Sequence, residues 1–583
     1  LNIKLKEYIN SAFSEFLYQS TDSKFTRQDF PKTAKSEVKR SYLNEEKLSA
    51  LWDSESMTHL IELFLWPCNA FALCSSLITK HGGYRLLVSP EKTSSWTLAD
   101  TEEVIKVGKK WRDFINTDLK NIGTFDVSEI NDLLLSVFEY KNLNISVDDL
   151  TKDPEFKKSL LKICLCADES FKDVTVLSPI DSSISGRVVE FLILNNEEYE
   201  FQLAFTNKSF GTVHYKSTIC QSGISINSVT NKLTLISPEI TLKYVERLKD
   251  DRWAKRDNYN VLILPWPLKV DRTDFNEVSG SKVQEMDSDF GFFEYSPKMS
   301  KDKENVDSIL DEFFKEFDEV DLVVLPECAL QSAQAELFFD EIRLYCETNR
   351  KYIPTFISGV YERGEEHKFG VNALKLFTVS GQHNGEEIEP STAVDYVEQH
   401  KHHRWFLDRA QLHNYKLGNR LSPKRKWWEF TKVDERSLIS YYCQRQDIQV
   451  SPLICEDLAR QDPVAPVIRA LGPNLIIALL LDGPQIKTRW PGRYASLLSE
   501  DPGSSVLSIT PLGMTMRSDG TGFPPSRTVG FWSESNGSYR ELSLNEGKRA
   551  IVLTLEPNRQ SQWSADGRKS ERVMLNYAGH LCI

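Results

Sequence analysis

Three runs of aliphatic residues constrain this chain more than anything else in it: Val261-Leu-Ile-Leu264, Leu322-Val-Val-Leu325 and Leu475–Leu481. They are strand-length and do not alternate with polar residues, so they read as strands apolar on both faces, the condition of a sheet covered by helices. Between and beyond them the period changes. Val306, Ile309, Leu310, Phe313, Phe314 and Phe317 recur at helical spacing, and a second helix is predicted over Ala333 to Asn349. Strands are predicted at Thr355 to Val360, Val371 to Val379 and Ile448 to Ile454, and a helix at Pro463 to Gly472. Further strands are predicted at Val506 to Ile509, Val529 to Trp532 and Ile551 to Leu555. Strands alternating with helices over this length imply a layered α/β domain.

The rest of the chain reads differently. At 583 residues it exceeds one ordinary core. Residues 1–168 read as a helical connecting or regulatory region, 169–256 as a small β-rich module and linker, and 257–583 as the α/β domain. In the middle part, Val188 to Leu194 and Tyr199 to Ala204 flank Asn195-Asn-Glu-Glu198 as a predicted hairpin, and the charged stretch Glu246 to Asn258 as a linker. The apolar stretch Leu60 to Ile78 carries Glu62, Pro67 and Asn69, which predicts a buried helix pair rather than a membrane span. Net charge is −13, which argues against a chain that is basic throughout. Ten cysteines contain no CxxC pair, and several lie in apolar runs, as reduced core thiols of a cytoplasmic protein do. The chain starts at Leu1 without an initiator methionine, so it is expected to be the C-terminal part of something longer.

Chemistry concentrates at three predicted strand ends. Glu327 closes Leu-Val-Val-Leu-Pro-Glu, Lys401 sits in Glu398-Gln-His-Lys-His-His-Arg-Trp405, and Cys455 closes Pro-Leu-Ile-Cys. Loops at sheet ends converge on a crevice in α/β folds. There a thiolate can attack a carbonyl or nitrile carbon while a carboxylate carries the proton and an ammonium stabilises the oxyanion. A site thiolate of this kind is expected to react with thiol reagents below the usual thiol pH. His400, His402, His403 and His413 do not make a metal site, because neighbours in one loop do not converge and no Cys or Asp set accompanies them. No metal and no organic cofactor is expected.

The motifs Leu-Pro-Glu327, Lys401-x-His403 and Ile-Cys455-Glu-Asp457, in that order, resemble the nitrilase or carbon–nitrogen hydrolase superfamily. The resemblance covers 257–583 and implies a four-layer αββα sandwich. It implies Glu327 as general base and acid, Lys401 as oxyanion stabiliser and Cys455 as nucleophile, with the N–H of Glu456 in the oxyanion hole. Glu429, in Trp-Trp-Glu-Phe, matches the family's second glutamate, and Arg493, in Pro-Gly-Arg-Tyr-Ala, its downstream arginine. The departure is a long segment, 404–428; residues 401–428 hold eight Lys or Arg against one acid, Asp408. It reads either as a docking surface or as a lid, with His403, Arg404 and Trp428 as contacts for an anionic amide or nitrile-like substrate. His-Lys-His-His-Arg-Trp, Trp-Trp-Glu and Trp563-Ser-Ala-Asp-Gly-Arg568 are similar to the nitrilase-like domains fused behind reverse transcriptases in bacterial antiviral defence. That narrower resemblance implies a polymerase region upstream, while the family implies a homo-oligomer. Two other readings stay open: a glutaminase-type module supplying ammonia, and a catalytically silent scaffold for oligomerisation or partner binding.

Overall fold

The computed structural model describes residues 3–19, 57–88, 95–172, 183–195, 199–221, 223–247, 256–278, 288–297, 306–364, 368–381, 390–518 and 524–583. They form two compact units. The first comprises residues 1–239, 469–472 and 561–571; the second comprises 240–468, 473–560 and 572–583. Most of the linker predicted at 246–258 lies outside the described residues.

In the first unit the longer helices are α1 (Leu5–Gln19), α2 (Met57–Leu65), α3 (Pro67–His81), α4 (Leu98–Ile115), α5 (Ser128–Phe138), α6 (Pro154–Ser170) and α7 (Ile184–Asn195). The apolar run 60–78 is indeed two helices, broken where Pro67 opens α3, and its Cys68, Phe71, Leu73, Cys74 and Leu77 are buried. Among the described residues no helix is long and apolar enough to cross a membrane. The predicted hairpin at 188–204 is not formed. Residues 184–195 are helical because Ile184, Val188, Val189 and Leu192 fall on one buried stripe while Ile193 faces solvent. A short apolar run fits either period, and here packing selected the helical one. Among the described residues the β structure lying wholly within this unit is one antiparallel pair, β1 (Thr212–Tyr215) with β2 (Leu233–Ile236).

A buried cation clasps this unit. Arg568, 1% exposed, donates to Asp566 at 2.7 Å, Asp168 at 3.0 Å and Glu169 at 3.3 Å, and to the carbonyls of Leu165 and Val229. Asp168 in turn accepts the backbone N–H groups of Asn231, Lys232 and Leu233, which fixes the entry to β2 against the end of α6.

The second unit holds two seven-stranded sheets, whose strands are β3 (Thr241–Arg247), β4 (Tyr259–Ile263), β7 (Leu322–Gln331), β8 (Thr355–Glu362), β9 (Val371–Gly381), β10 (Pro390–His400), β13 (Ser437–Cys443), β14 (Ile448–Ile454), β15 (Leu475–Leu479), β16 (Ser505–Ile509), β17 (Thr528–Ser533), β18 (Tyr539–Ser543), β19 (Ile551–Trp563) and β20 (Lys569–Cys582). One sheet runs β10-β9-β8-β7-β4-β19-β20, the other β18-β17-β16-β15-β14-β13-β3. β5 (Phe275–Val278), β6 (Phe290–Tyr295), β11 (Phe406–Leu407) and β12 (Lys426–Glu429) form a smaller sheet in the order β11-β12-β6-β5. The large sheets face each other. The Gln399 side chain on β10 donates to the carbonyl of Pro452 on β14 and accepts from the N–H of Ile439 on β13, and the Thr355 and Tyr441 hydroxyls meet at 2.7 Å.

Helices cover the outer faces. α8 (Val306–Glu316) and α9 (Ser332–Thr348) bury Ile309, Leu310, Phe313, Phe338 and Phe339 against Val323, Phe356 and Phe377 of the first sheet. α10 (Arg409–Asn414) sits in the 404–428 segment, α11 (Val464–Leu471) follows β14, and α12 (Trp490–Glu500) packs on β16 and β17 of the second sheet. The unit is a four-layer αββα sandwich, and its central strands β4, β14, β15 and β16 are buried along their whole length.

Replacing Arg568 by Leu strands three carboxylates in a dry interior. The expected cost is about 3–5 kcal/mol, read as a lower denaturant midpoint in an unfolding titration of the full chain.

Candidate functional site

Glu327 reaches its place through a fault in β7. Register with β8 holds at Leu325↔Ser358 and resumes only at Leu330↔Val360, so the strand bulges around Glu327 and Cys328 takes φ +53°. Gly359 on β8 makes room: a Cβ there would lie 2.3 Å from the Pro326 carbonyl oxygen and 2.5 Å from Glu327 Cα. A bulge re-aims a side chain that a regular strand would send into a core face.

Lys401 is the first residue after β10, and its N–H donates to the Asn372 carbonyl at 3.0 Å. Its side chain is fully buried. The ammonium donates to Glu327 Oε1 at 2.7 Å and Glu429 Oε2 at 2.8 Å. Glu429 ends β12, where its N–H donates to the Trp405 carbonyl and its Oε2 accepts the Trp405 N–H, both at 2.9 Å. Asn372 on β9 joins the two carboxylates, donating to Glu327 Oε1 at 2.8 Å and Glu429 Oε1 at 2.6 Å. Among the described residues Glu327 Oε2 has no hydrogen-bond partner. With two ammonium protons spent on the glutamates, the third is left for another acceptor.

Cys455 ends β14 and opens a 3₁₀ turn, Cys455–Leu458. It is 3% exposed with φ +44°, a left-handed conformation costing a non-glycine residue about 1–2 kcal/mol. Such strain survives only where the surroundings fix it. Asp457 supplies part of that fixing, because it accepts the His402 N–H at 3.1 Å and meets His403 Nδ1 at 2.9 Å. The cysteine turn is thereby tied to the two residues that follow Lys401. The N–H of Glu456 stands in the first turn, where backbone donors lack partners inside the helix. Its carboxylate pairs instead with Arg460 at 2.7 Å.

The three groups perturb one another. Burial, reinforced by the neighbouring Glu429, raises the Glu327 carboxyl above the usual range although Lys401 opposes this. Burial alone would lower the Lys401 ammonium, but Glu327 and Glu429 hold it well above an ordinary lysine. Burial and then Glu327 push the Cys455 thiol well up, with Lys401 pulling the other way. Burial and Glu327 thus favour the thiol at rest while Lys401 favours the thiolate, the same opposition of carboxylate and ammonium that the sequence sets up without fixing which prevails.

Arg404 stands close enough to Glu429 for their charges to interact. It donates to the Thr431 carbonyl at 3.1 Å and sits over the Phe369 ring. Trp428 falls on the opposite pleat of β12 from Glu429 and packs on Phe406 with ring centroids 4.4 Å apart. Arg493 is exposed on α12. The buried arginine is Arg489, which pairs with Asp482 at 2.9 Å beside the Tyr415 hydroxyl. The 404–428 segment is packed rather than loose: Leu407, Leu412, Leu417, Leu421 and Trp427 are buried with Phe275 and Phe293. Asn372 and Asp457 were missed as site residues. Their signals were an amide inside an otherwise alternating strand, and an acid two places after the cysteine.

No protein-family model and no curated protein matches the chain. Solved structures similar to part of it include the following. Nit3 of Saccharomyces cerevisiae, a member of branch 10 of the nitrilase superfamily, is 13% identical over 52% of this chain and 93% of its own, with a TM-score of 0.31. The glutamine-dependent NAD+ synthetase of Acinetobacter baumannii is 11% identical over 51% of this chain and 46% of its own, with a TM-score of 0.30. That of Cytophaga hutchinsonii is 11% identical over 51% and 42%, with a TM-score of 0.25. The chain thus spans less than half the length of either synthetase.

Two measurements check this geometry. Alkylation of Cys455 by iodoacetamide, followed by peptide mass, is expected to accelerate only above the pH range of a free thiol, and Lys401→Met to move the profile higher still. Asn372→Leu removes a donor from both glutamates, and a loss of about 3 kcal/mol in a denaturant titration is expected.

Proposed function

We propose that the second unit is a thiol-dependent hydrolase of non-peptide carbon–nitrogen bonds, acting on an anionic amide or nitrile-like small molecule. The observation that carries this reading is the dry triad of Lys401, Glu327 and Glu429, in which one Glu327 oxygen is left unpartnered within the field of a buried cysteine. A purely structural ion pair would satisfy its acceptors.

In the first half-reaction Cys455 Sγ bonds to the carbonyl carbon while its proton passes to Glu327. The carbonyl oxygen becomes an oxyanion facing the third ammonium proton of Lys401 and the N–H of Glu456. Glu327 then gives its proton to the departing nitrogen, leaving a thioester. In the second half Glu327 takes a proton from water, the hydroxide adds to the thioester, and sulfur leaves with the proton returned. Net charge at the site is unchanged when the proton moves from sulfur to carboxylate, so burial does not oppose that step. Glu429 is the positioning residue for Lys401.

The narrower resemblance extends the proposal: a cytoplasmic homo-oligomer, acting as the effector part of an antiviral defence protein whose reverse transcriptase region lies upstream.

The test is the intact mass of the protein after incubation with a cellular metabolite extract, comparing wild type, Cys455→Ala and Glu327→Ala. An adduct on Cys455 that persists in Glu327→Ala and is absent from Cys455→Ala is expected. With a substrate in hand, Glu327→Gln is expected to lower kcat by about 10²–10⁴-fold. A cysteine inert to every extract and to thiol reagents would favour the silent scaffold.

A further inference from the structure

The segment between Lys401 and Glu429 does more than pack. With Arg272 and Arg517 it walls a cleft of about 1310 Å³ in the second unit. Arg409, Lys416, Lys424 and Lys426 line it with those two arginines, and Arg425 adds a seventh cation, paired with Glu277 at 2.9 Å. The lining contains one acid, Asp408, whose Oδ1 is occupied in capping α10 through the Gln411 N–H. Arg272, Arg409, Lys424 and Lys426 are exposed and have no carboxylate partner among the described residues. The Arg517 guanidinium donates to the neutral carbonyls of Val270 and Tyr415, with Asp271 and Asp274 near enough to act on its charge, and among the described residues no carboxylate bonds to it and its buried Nε has no partner. In a chain of net charge −13 such a concentration opposes the overall field.

We propose that this cleft binds the phosphate backbone of a nucleic acid without reading its sequence. Three observations favour that ligand over a single small anion. The cations are spread around a cleft too large for one phosphate, and no glycine-rich loop gathers backbone N–H groups onto a point. The one ring in the lining is His413, and no Phe, Tyr or Trp stands there as a stacking platform, so recognition falls mainly to charge. The platform is rigid, because Leu412, Leu417, Leu421 and Trp427 are buried beneath it, so long cationic side chains extend from a fixed backbone. The site is separate from the hydrolytic triad: none of its lining residues bonds to Glu327, Lys401 or Glu429.

The test uses the full chain and a fluorescein-labelled 20-nucleotide DNA, single-stranded and as a duplex of unrelated sequences, with anisotropy read across a salt series. Arg409→Glu/Lys424→Glu is compared with wild type and with Lys548→Glu, an exposed lysine outside the cleft that reports how far a charge reversal elsewhere on the surface weakens binding. Both cleft positions are exposed, and Glu at the first turn of α10 suits that helix end, so the double variant is expected to keep the wild-type melting temperature. Wild type is expected to bind both probes irrespective of sequence, with log affinity falling against log salt at a slope of about 4 on the duplex. The double variant is expected to bind at least tenfold more weakly, with a slope smaller by about 2. Equal affinity in the double variant and Lys548→Glu overturns the proposal. So does binding of inorganic polyphosphate, read by calorimetry, together with failure of both DNA probes to bind, which would assign the cleft to a free phosphate chain.

Discussion

A lysine with no access to water, held between two carboxylates, sets the terms for the rest of the second unit. Lys401 keeps its charge only because Glu327 and Glu429 flank it. Taking one cation and two anions out of water is costly unless every remaining lone pair finds a donor. The fold supplies those donors from separate places: Asn372 from β9, the Trp405 N–H from the strand leading to α10, and the ammonium itself from the end of β10. Three strands and a β-bulge are thus organised around a single ammonium. Among the described residues one Glu327 oxygen and the Asn372 side-chain oxygen are left without a partner.

Much of this organisation was legible in the sequence because it followed from period and from strand ends. The apolar runs at 261–264, 322–325 and 475–481 gave the sheets, and the spacing of Val306 to Phe313 gave α8, since these residues have one burial pattern available to them. Glu327 and Lys401 could be picked out as charges placed where a strand stops, and Glu429 through the family resemblance. The bulge in β7 was not legible. Leu-Pro-Glu-Cys-Ala-Leu carries no bulge signal of its own, and the cause lies thirty residues away, in the missing side chain of Gly359.

The stretch 188–204 was read from local character, whereas tertiary packing decided it, and packing likewise sets the contacts that Arg404, Trp428 and Arg493 make. Val188 to Leu194 has enough apolar residues for either a strand or a helix, and the buried stripe Ile184, Val188, Val189 and Leu192 made it α7. Arg493 resembled a site arginine by its neighbours, but the helix phase that buries Ala495 and Leu498 turns it outward and leaves Arg489 to meet Asp482. The motif Trp563 to Arg568 proved to be the buried clasp of the first unit, a role that only the contact of Arg568 with Asp168 and Glu169 reveals.

The protonated state of Cys455 bears on how such a protein endures oxidative stress. Peroxide attacks thiolates, and a sulfur that is 3% exposed and pushed well above the usual thiol range offers almost none. Peroxiredoxin-like sensors hold their cysteine as an exposed anion and need a second thiol to rescue it. Here all ten cysteines are buried. In the reaction proposed above, the attacking sulfur is protected by the same desolvation that keeps it idle, and it becomes vulnerable only in the moments when a bound carbonyl is already in place to consume it.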